Sequence, residues 1–223
     1  MIIKTIAIIP ARGGSKRLPF KNTLPLGGLP LLAHSIKYAL SQSQIDSVYV
    51  STDDENIKQI ALDYGALVID RPQSLSGDLE PTISTLQHVL AELDDATIEA
   101  VVLLQPTNPL RPVTLFKEVF TQFKTKNSVS AFTVSRNHDK LGKIVNNTFV
   151  PFNYTPGQRS QDLEPLYYEN GLLYITTANA IRDGSIMTED ALPFVVEHPF
   201  SKVDIDTQED LEYAEYVFNN ITS

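Results

Sequence analysis

Four short apolar runs, separated by stretches of helical periodicity, constrain the fold of this chain more than any other feature. Residues 3–9, 47–51, 66–69 and 100–104 are rich in Val, Ile and Ala and have turn residues nearby, as buried strands do. Between them Leu31, Leu32, Ile36, Ala39 and Leu40 keep a helical period, as do Ile83, Leu86, Leu90 and Leu93, and a further helix is expected over 113–123. Such alternation predicts an α/β fold, a mostly parallel sheet with helices on both faces. Ligands in such folds bind beyond the carboxyl ends of the strands.

A chain of 223 residues suffices for one domain with a substantial core. Its formal charge of −9 argues against a nucleic-acid partner, which calls for a broad basic face. It has no cysteine, so disulfides, thiolate metal sites and cysteine nucleophiles are excluded. No run approaches the roughly 20 apolar residues that span a bilayer, so no membrane partner is expected. Residues 1–10 are interrupted by Lys4 and lack a small-residue cleavage site, so a cytoplasmic location is expected.

Directly after the first strand comes Ala11-Arg12-Gly13-Gly14-Ser15-Lys16-Arg17-Leu18-Pro19-Phe20-Lys21-Asn22. Two adjacent glycines permit tight backbone geometry, and four of the chain's 18 basic residues crowd into this one loop. On an acidic protein such a loop calls for an anion, and a nucleotide polyphosphate held by N–H groups and cations fits best. The loop is neither of the two common glycine-rich phosphate motifs. A surface turn with solvated cations is the plainer alternative.

Near the other end stands Val203-Asp204-Ile205-Asp206-Thr207. In an extended segment Asp204 and Asp206 share a face, and two convergent carboxylates suit Mg²⁺ completed by substrate phosphates and water. The competing reading makes Asp206 the N-cap of a last helix over 207–219, with Glu209 closing a capping box. Gln105-Pro106-Thr107-Asn108-Pro109-Leu110-Arg111 ends the fourth strand with polar and cationic groups; Arg111 is otherwise a surface residue of a rigid loop. Arg71 and Arg159 are further candidates. The four histidines show no ligand spacing, and no serine-hydrolase elbow is present. Residues 136–165 are polar, with Asn146-Asn147 between short Val/Phe segments, which suggests a hairpin and loop outside the main sheet where a second subunit docks. Strand character returns at 171–176 and 194–197.

These motifs resemble the acylneuraminate cytidylyltransferases, the CMP-sialic acid synthetases. The likeness begins with Ile9 to Arg17 and Lys21-Asn22. It continues through Ser51-Thr52-Asp53, Arg71-Pro72, Asp78 to Thr82, Gln105 to Arg111, Asn170-Gly171 and Asp204 to Asp206, nearly the whole chain in order. The resemblance implies a Rossmann-like fold, a homodimer built through the 136–165 excursion, and Mg²⁺-dependent transfer of CMP from CTP to an acidic nine-carbon sugar. It implies nucleotide contacts from Ala11, Arg12, Gly13, Ser15, Lys16, Lys21, Asn22, Arg71, Glu80 (through its backbone) and Thr82. Sugar contacts would come from Gln105, Arg159, Tyr168 and Asn170, with Arg159 at the carboxylate, and metal ligation from Asp204 and Asp206. Arg12, Lys16, Lys21, Asp204 and Asp206 would carry the chemistry. Tyr168 stands where the family places a second arginine before Asn-Gly, which points to a less hydroxylated sugar of legionaminic or pseudaminic type. The rival readings are a cytidylyltransferase for the eight-carbon acid KDO, which usually has Lys-Pro in place of Lys21-Asn22, and a nucleotide-binding module without catalysis.

Overall fold

A computed structural model describes residues 4–221. The first strand, expected from Ile3, is β1 (Lys4–Pro10); Ile3 itself lies outside the described residues. A two-residue hairpin, β2 (Pro25–Leu26) and β3 (Leu29–Pro30), turns at Gly27 and Gly28, both at positive φ, into α1 (Leu31–Leu40). Then come β4 (Ser47–Thr52), α2 (Glu55–Asp63), β5 (Leu67–Asp70), α3 (Thr82–Leu93), β6 (Ile98–Leu103) and α4 (Leu115–Thr125). The second half holds β7 (Ser130–Asn137), β8 (Gly142–Val145), β9 (Thr148–Pro151), β10 (Leu166–Thr177), α5 (Ala178–Arg182), β11 (Leu192–Val195) and α6 (Gln208–Asn220).

Seven strands form one sheet in the order β11-β7-β10-β6-β1-β4-β5. β1 pairs parallel to β4 and β6, and β5 parallel to β4. β10 enters antiparallel between β6 and β7. Helices α1, α2 and α4 cover one face, where Leu32, Ile36, Ile57 and Phe116 pack on Ala7, Ile9 and Val102. Helices α3 and α5 cover the other, where Leu86, Val89 and Ile181 meet Ile6, Ile8 and Leu103. The central strands are therefore apolar on both sides, as parallel strands between helices must be. Among the described residues no helix is long and apolar enough to cross a membrane.

A third apolar cluster matters most for the site. Leu18 and Leu26 from the basic-loop region pack with Leu110, with Val203 and Ile205, and with Leu211 and Ala214 of α6. Val203 and Ile205 are buried while Asp204 and Asp206 point outward, so the alternation read from the sequence holds.

Three local expectations differ. Helix α6 is capped by Thr207, whose box partner is Asp210, so neither Asp206 nor Glu209 serves the cap. The helix α2, with Asp54 as its N-cap, goes beyond the periodicity recognised above. Residues 136–165 are not all outside the sheet, because β7 runs to Asn137 and pairs with an extended β10 that begins at Leu166. What protrudes is the β8–β9 hairpin, turning through Asn146 and Asn147, both at positive φ as a tight hairpin turn requires.

Candidate active site

A cleft of about 460 Å³ opens at the carboxyl ends of β1, β4, β5 and β6. The basic loop forms one wall. Its backbone is held from β4: Ala11 N donates to Ser51 O (3.0 Å) and Gly13 N to Asp53 Oδ1 (3.0 Å). A Cβ on Gly13 would come within 2.7 Å of the Asp54 carboxylate, which is engaged in capping α2, so the loop can lie this close only with glycine there. Asn22 is buried, and its Nδ2 ties the loop to itself through Arg12 O (2.9 Å). Phe20 takes the left-handed conformation (φ 57°), unusual for an aromatic residue, just before Lys21.

The cations of this loop divide between two carboxylates. Arg12 Nη2 reaches Asp78 Oδ1 at 2.8 Å, and Lys16 pairs with the other oxygen of Asp78. Lys21 Nζ donates to Asp206 Oδ1 at 2.8 Å and Arg17 Nη1 to Asp206 Oδ2 at 3.0 Å. Lys16 and Arg12 hold the Asp78 carboxyl below its ordinary range. Arg17, a loop cation without an assigned role, and Asp78, a member of the motif without one, are thus both in the site. Their pairing depends on chain segments that meet only in the fold.

The acidic segment is pinned by the loop after β6. Ile205 N donates to Thr107 O (2.8 Å), and Asn108 Nδ2 donates to Val203 O (3.0 Å) and Asn170 O (3.2 Å). Gly171 has φ +73°, and a Cβ there would meet Asn108 Oδ1 at 2.6 Å, so the Asn-Gly pair serves this junction. Asp204 is exposed by area, yet neighbouring protein removes part of its hydration. That loss, followed by the negative charge of Asp206, raises its carboxyl above the usual range against a hydrogen bond from Thr107. Two hard oxygen donors on one face fit a cation that takes the rest of its shell from phosphate and water. Among the described residues no group of three or more His, Asp or Glu converges, so such a cation would have only this pair of side-chain carboxylates.

Arg71, Glu80, Thr82, Thr85 and Gln105 complete the lining. Arg71 is buried and anchored to Ser51, with Nε 3.2 Å from Oγ and Nη2 2.6 Å from the carbonyl. Thr82 opens α3, whose Pro81 N-cap makes no side-chain cap, so the positive end of the helix faces the cleft. Arg111 is not a surface residue: it is buried, and donates to Leu172 O (2.6 Å), Gln105 O (2.9 Å) and Ser35 Oγ (3.0 Å). Burial lowers its guanidinium to about 10.

Two sugar-contact expectations meet different placements. Asn170 is buried, its Oδ1 accepting from Thr133 (2.6 Å) and its Nδ2 donating to Ser135 (3.0 Å), so the side chain is spent in the sheet. Arg159 is exposed and forks onto Asp162 of its own turn (2.7 and 3.1 Å). Tyr168 is exposed on β10.

A family model described as "Cytidylyltransferase" matches residues 6–221. The N-acylneuraminate cytidylyltransferase of Streptococcus agalactiae serotype V is 34% identical over 216 residues, covering 93% of this chain and 52% of that protein. The chain therefore spans about half the length of that curated relative. The CMP-N,N'-diacetyllegionaminic acid synthase of Legionella pneumophila is 36% identical over 231 residues, covering 96% of this chain and 95% of that protein. A solved CMP:2-keto-3-deoxy-manno-octonic acid synthetase complexed with CTP superposes with a TM-score of 0.75 at 19% identity, covering 98% of this chain and all of that one, a likeness of fold.

Proposed function

This chain belongs to the cytidylyltransferase family, and we propose that it transfers CMP from CTP to a nonulosonic acid, a nine-carbon acidic sugar of sialic-acid type, releasing pyrophosphate. The observation that carries the reading is the meeting of the basic loop with Asp206, one of the two aspartates, across one cleft, through Lys21 and Arg17. Arg12, Ser15, Lys16 and Lys21, which line the cleft, hold the triphosphate, while the N–H groups of Ala11 and Gly13 are spent on Ser51 and Asp53 and fix the loop that carries them. Asn22, Arg71, the Glu80 backbone and Thr82 receive the cytidine, and Gln105 begins the sugar wall. Asp204 and Asp206 would hold Mg²⁺, which when bound supplies positive charge to the phosphates.

In the reaction the anomeric hydroxyl oxygen bonds to the α-phosphorus and gives its proton to water, as the bond from that phosphorus to the bridging oxygen breaks and negative charge passes to pyrophosphate. The loop cations would answer that charge where it develops. Phosphate oxygens compete with Asp78 and Asp206 for these cations.

Tyr168 in place of an arginine, and a legionaminic-type relative matched over 95% of its length, favour N,N'-diacetyllegionaminate over N-acetylneuraminate. The β8–β9 hairpin exposes Ile144, Val145, Phe149 and Val150, more apolar surface than a two-stranded ribbon can leave in water, which fits a second copy docking there. Light scattering should give a dimer; a monomer at micromolar concentration rejects the docking.

The decisive assay is pyrophosphate release from CTP with a panel of nonulosonic acids. Release that needs both Mg²⁺ and the acid sugar is expected, with the highest kcat/KM for N,N'-diacetyllegionaminate. A clear preference for N-acetylneuraminate refutes the sugar assignment; no release with any nonulosonic acid refutes the function.

A further inference from the structure

One guanidinium beyond the cleft has no employment in the fold. Arg136 stands on β7, its Nε buried without a hydrogen-bond partner, and no ion pair among the described residues involves it. A buried donor left unmade is costly, and a ligand that accepts from it removes the cost.

Sheet register shows what Arg136 faces. Tyr174 on β10 pairs with Leu103 of β6, so β10, traced back towards Leu166, rises past the end of β6 where Gln105 starts the cleft wall. Directly opposed residues share a face: Phe132 with Tyr174, Val134 with Glu169, Arg136 with Tyr167. Because 132, 134 and 136 alternate along β7, their partners lie on the same face; the register of β10 breaks between Glu169 and Tyr174, and the hydrogen bond between those two side chains keeps them together across the break. Glu169 Oε2 accepts from the Tyr174 hydroxyl at 3.0 Å, and Asp204 is close enough for its charge to act on Tyr174. The face therefore leads from Asp204 through Tyr174 and Glu169, and Arg136 lies one two-residue step, about 6.8 Å, beyond the Val134–Glu169 pair.

A carboxylate entering this region meets Asp204, Asp206 and Glu169, all repulsive, so a cation must hold it. Arg159 is forked onto Asp162 at the exposed surface and would have to give up that pair. Arg136 is not so engaged, and its planar fork matches a carboxylate in shape and charge. We infer that Arg136 binds the carboxylate of the acid sugar, in a subsite that continues from Asp204 along Tyr174 and Glu169. The assignment rests on the function proposed above.

The test compares wild type, R136M and R136K at saturating CTP, each with the preferred sugar acid and with its uncharged methyl ester. R136M should raise the KM of the acid about 30-fold, roughly 2 kcal/mol at 1.4 kcal/mol per tenfold. The KM values of the ester and of CTP should stay within roughly twofold, since neither engages the guanidinium. R136K should fall between. An unchanged acid KM in R136M, or equal rises for acid and ester, overturns the assignment while wild-type turnover keeps the function standing. If R136M does not fold, R136K decides: an acid-to-ester KM ratio equal to wild type overturns it. Absence of wild-type pyrophosphate release with every nonulosonic acid removes the function and this subsite together.

Discussion

Lys21 Nζ lies 2.8 Å from Asp206 Oδ1, although 185 positions separate the two residues. Two anchors bring them together. Leu18 packs in the same apolar cluster as Val203, Ile205 and α6, and Ile205 N is bonded to Thr107 O at the end of β6. The basic loop and the acidic pair are thus joined below by apolar contacts and above by charge.

Asp206→Ala should leave the protein folded and remove more than nine-tenths of turnover. The carboxylate is 44% exposed and its ion pairs are partly solvated, so they contribute little to stability. Circular dichroism should show a melting temperature within about 3 °C of wild type. Retention of more than a tenth of the wild-type rate counts against metal ligation by Asp206.

Asp204 offers a test with a definite sign. Its folded-state pKa is raised above the unfolded value, so ionising it favours the unfolded chain. The stability it contributes is fully present below the unfolded carboxyl pKa and is lost as pH rises through the folded one. Asp204→Asn should therefore raise the melting temperature at pH 7 without added metal, narrow its advantage in acid, and abolish turnover. A melting temperature lowered at pH 7 contradicts the argument.

Asp78 holds Arg12 and Lys16, the two cations proposed for the triphosphate. Asp78→Asn should tighten CTP binding about three- to tenfold by removing like charge beside the phosphates. Isothermal titration gives the constant directly. Weaker binding would mean that Asp78 orients Arg12 for the nucleotide instead of opposing it.

Arg111 should behave as a structural cation. Arg111→Met leaves the carbonyls of Leu172 and Gln105 without its hydrogen bonds and should cost about 2–4 kcal/mol in urea denaturation. Arg111→Lys should recover little of it, because one ammonium cannot reproduce a planar fork on three separate acceptors. Full stability in the lysine variant would show that charge alone matters there.

Strands β1, β4, β5 and β6 and helices α1, α3 and α4 were legible because each carries its own period. Ile6, Ile8, Leu86 and Leu90 reveal their faces without reference to any partner. The alternation at 203–206 was legible for the same reason. Helix α2 was missed because only Ile57 and Ala61 of its nine residues are buried, too few to show a stripe. The extended start of β10 was missed because Tyr167, Tyr168 and Glu169 are exposed and mimic a polar loop.

By itself the sequence determined the α/β frame, the cation-rich loop after β1 and the outward pair of aspartates, since local periodicity and local charge suffice for each. Only the tertiary structure decided which charges meet: that Asp206 faces Lys21 and Arg17, that Asp78 takes Arg12 and Lys16, that Asn170 and Arg111 are spent in the interior, and that the buried Arg136 Nε has no partner among the described residues. Side-chain pairing across a cleft depends on strand order and loop packing between distant segments, and residue spacing along the chain carries no record of those distances.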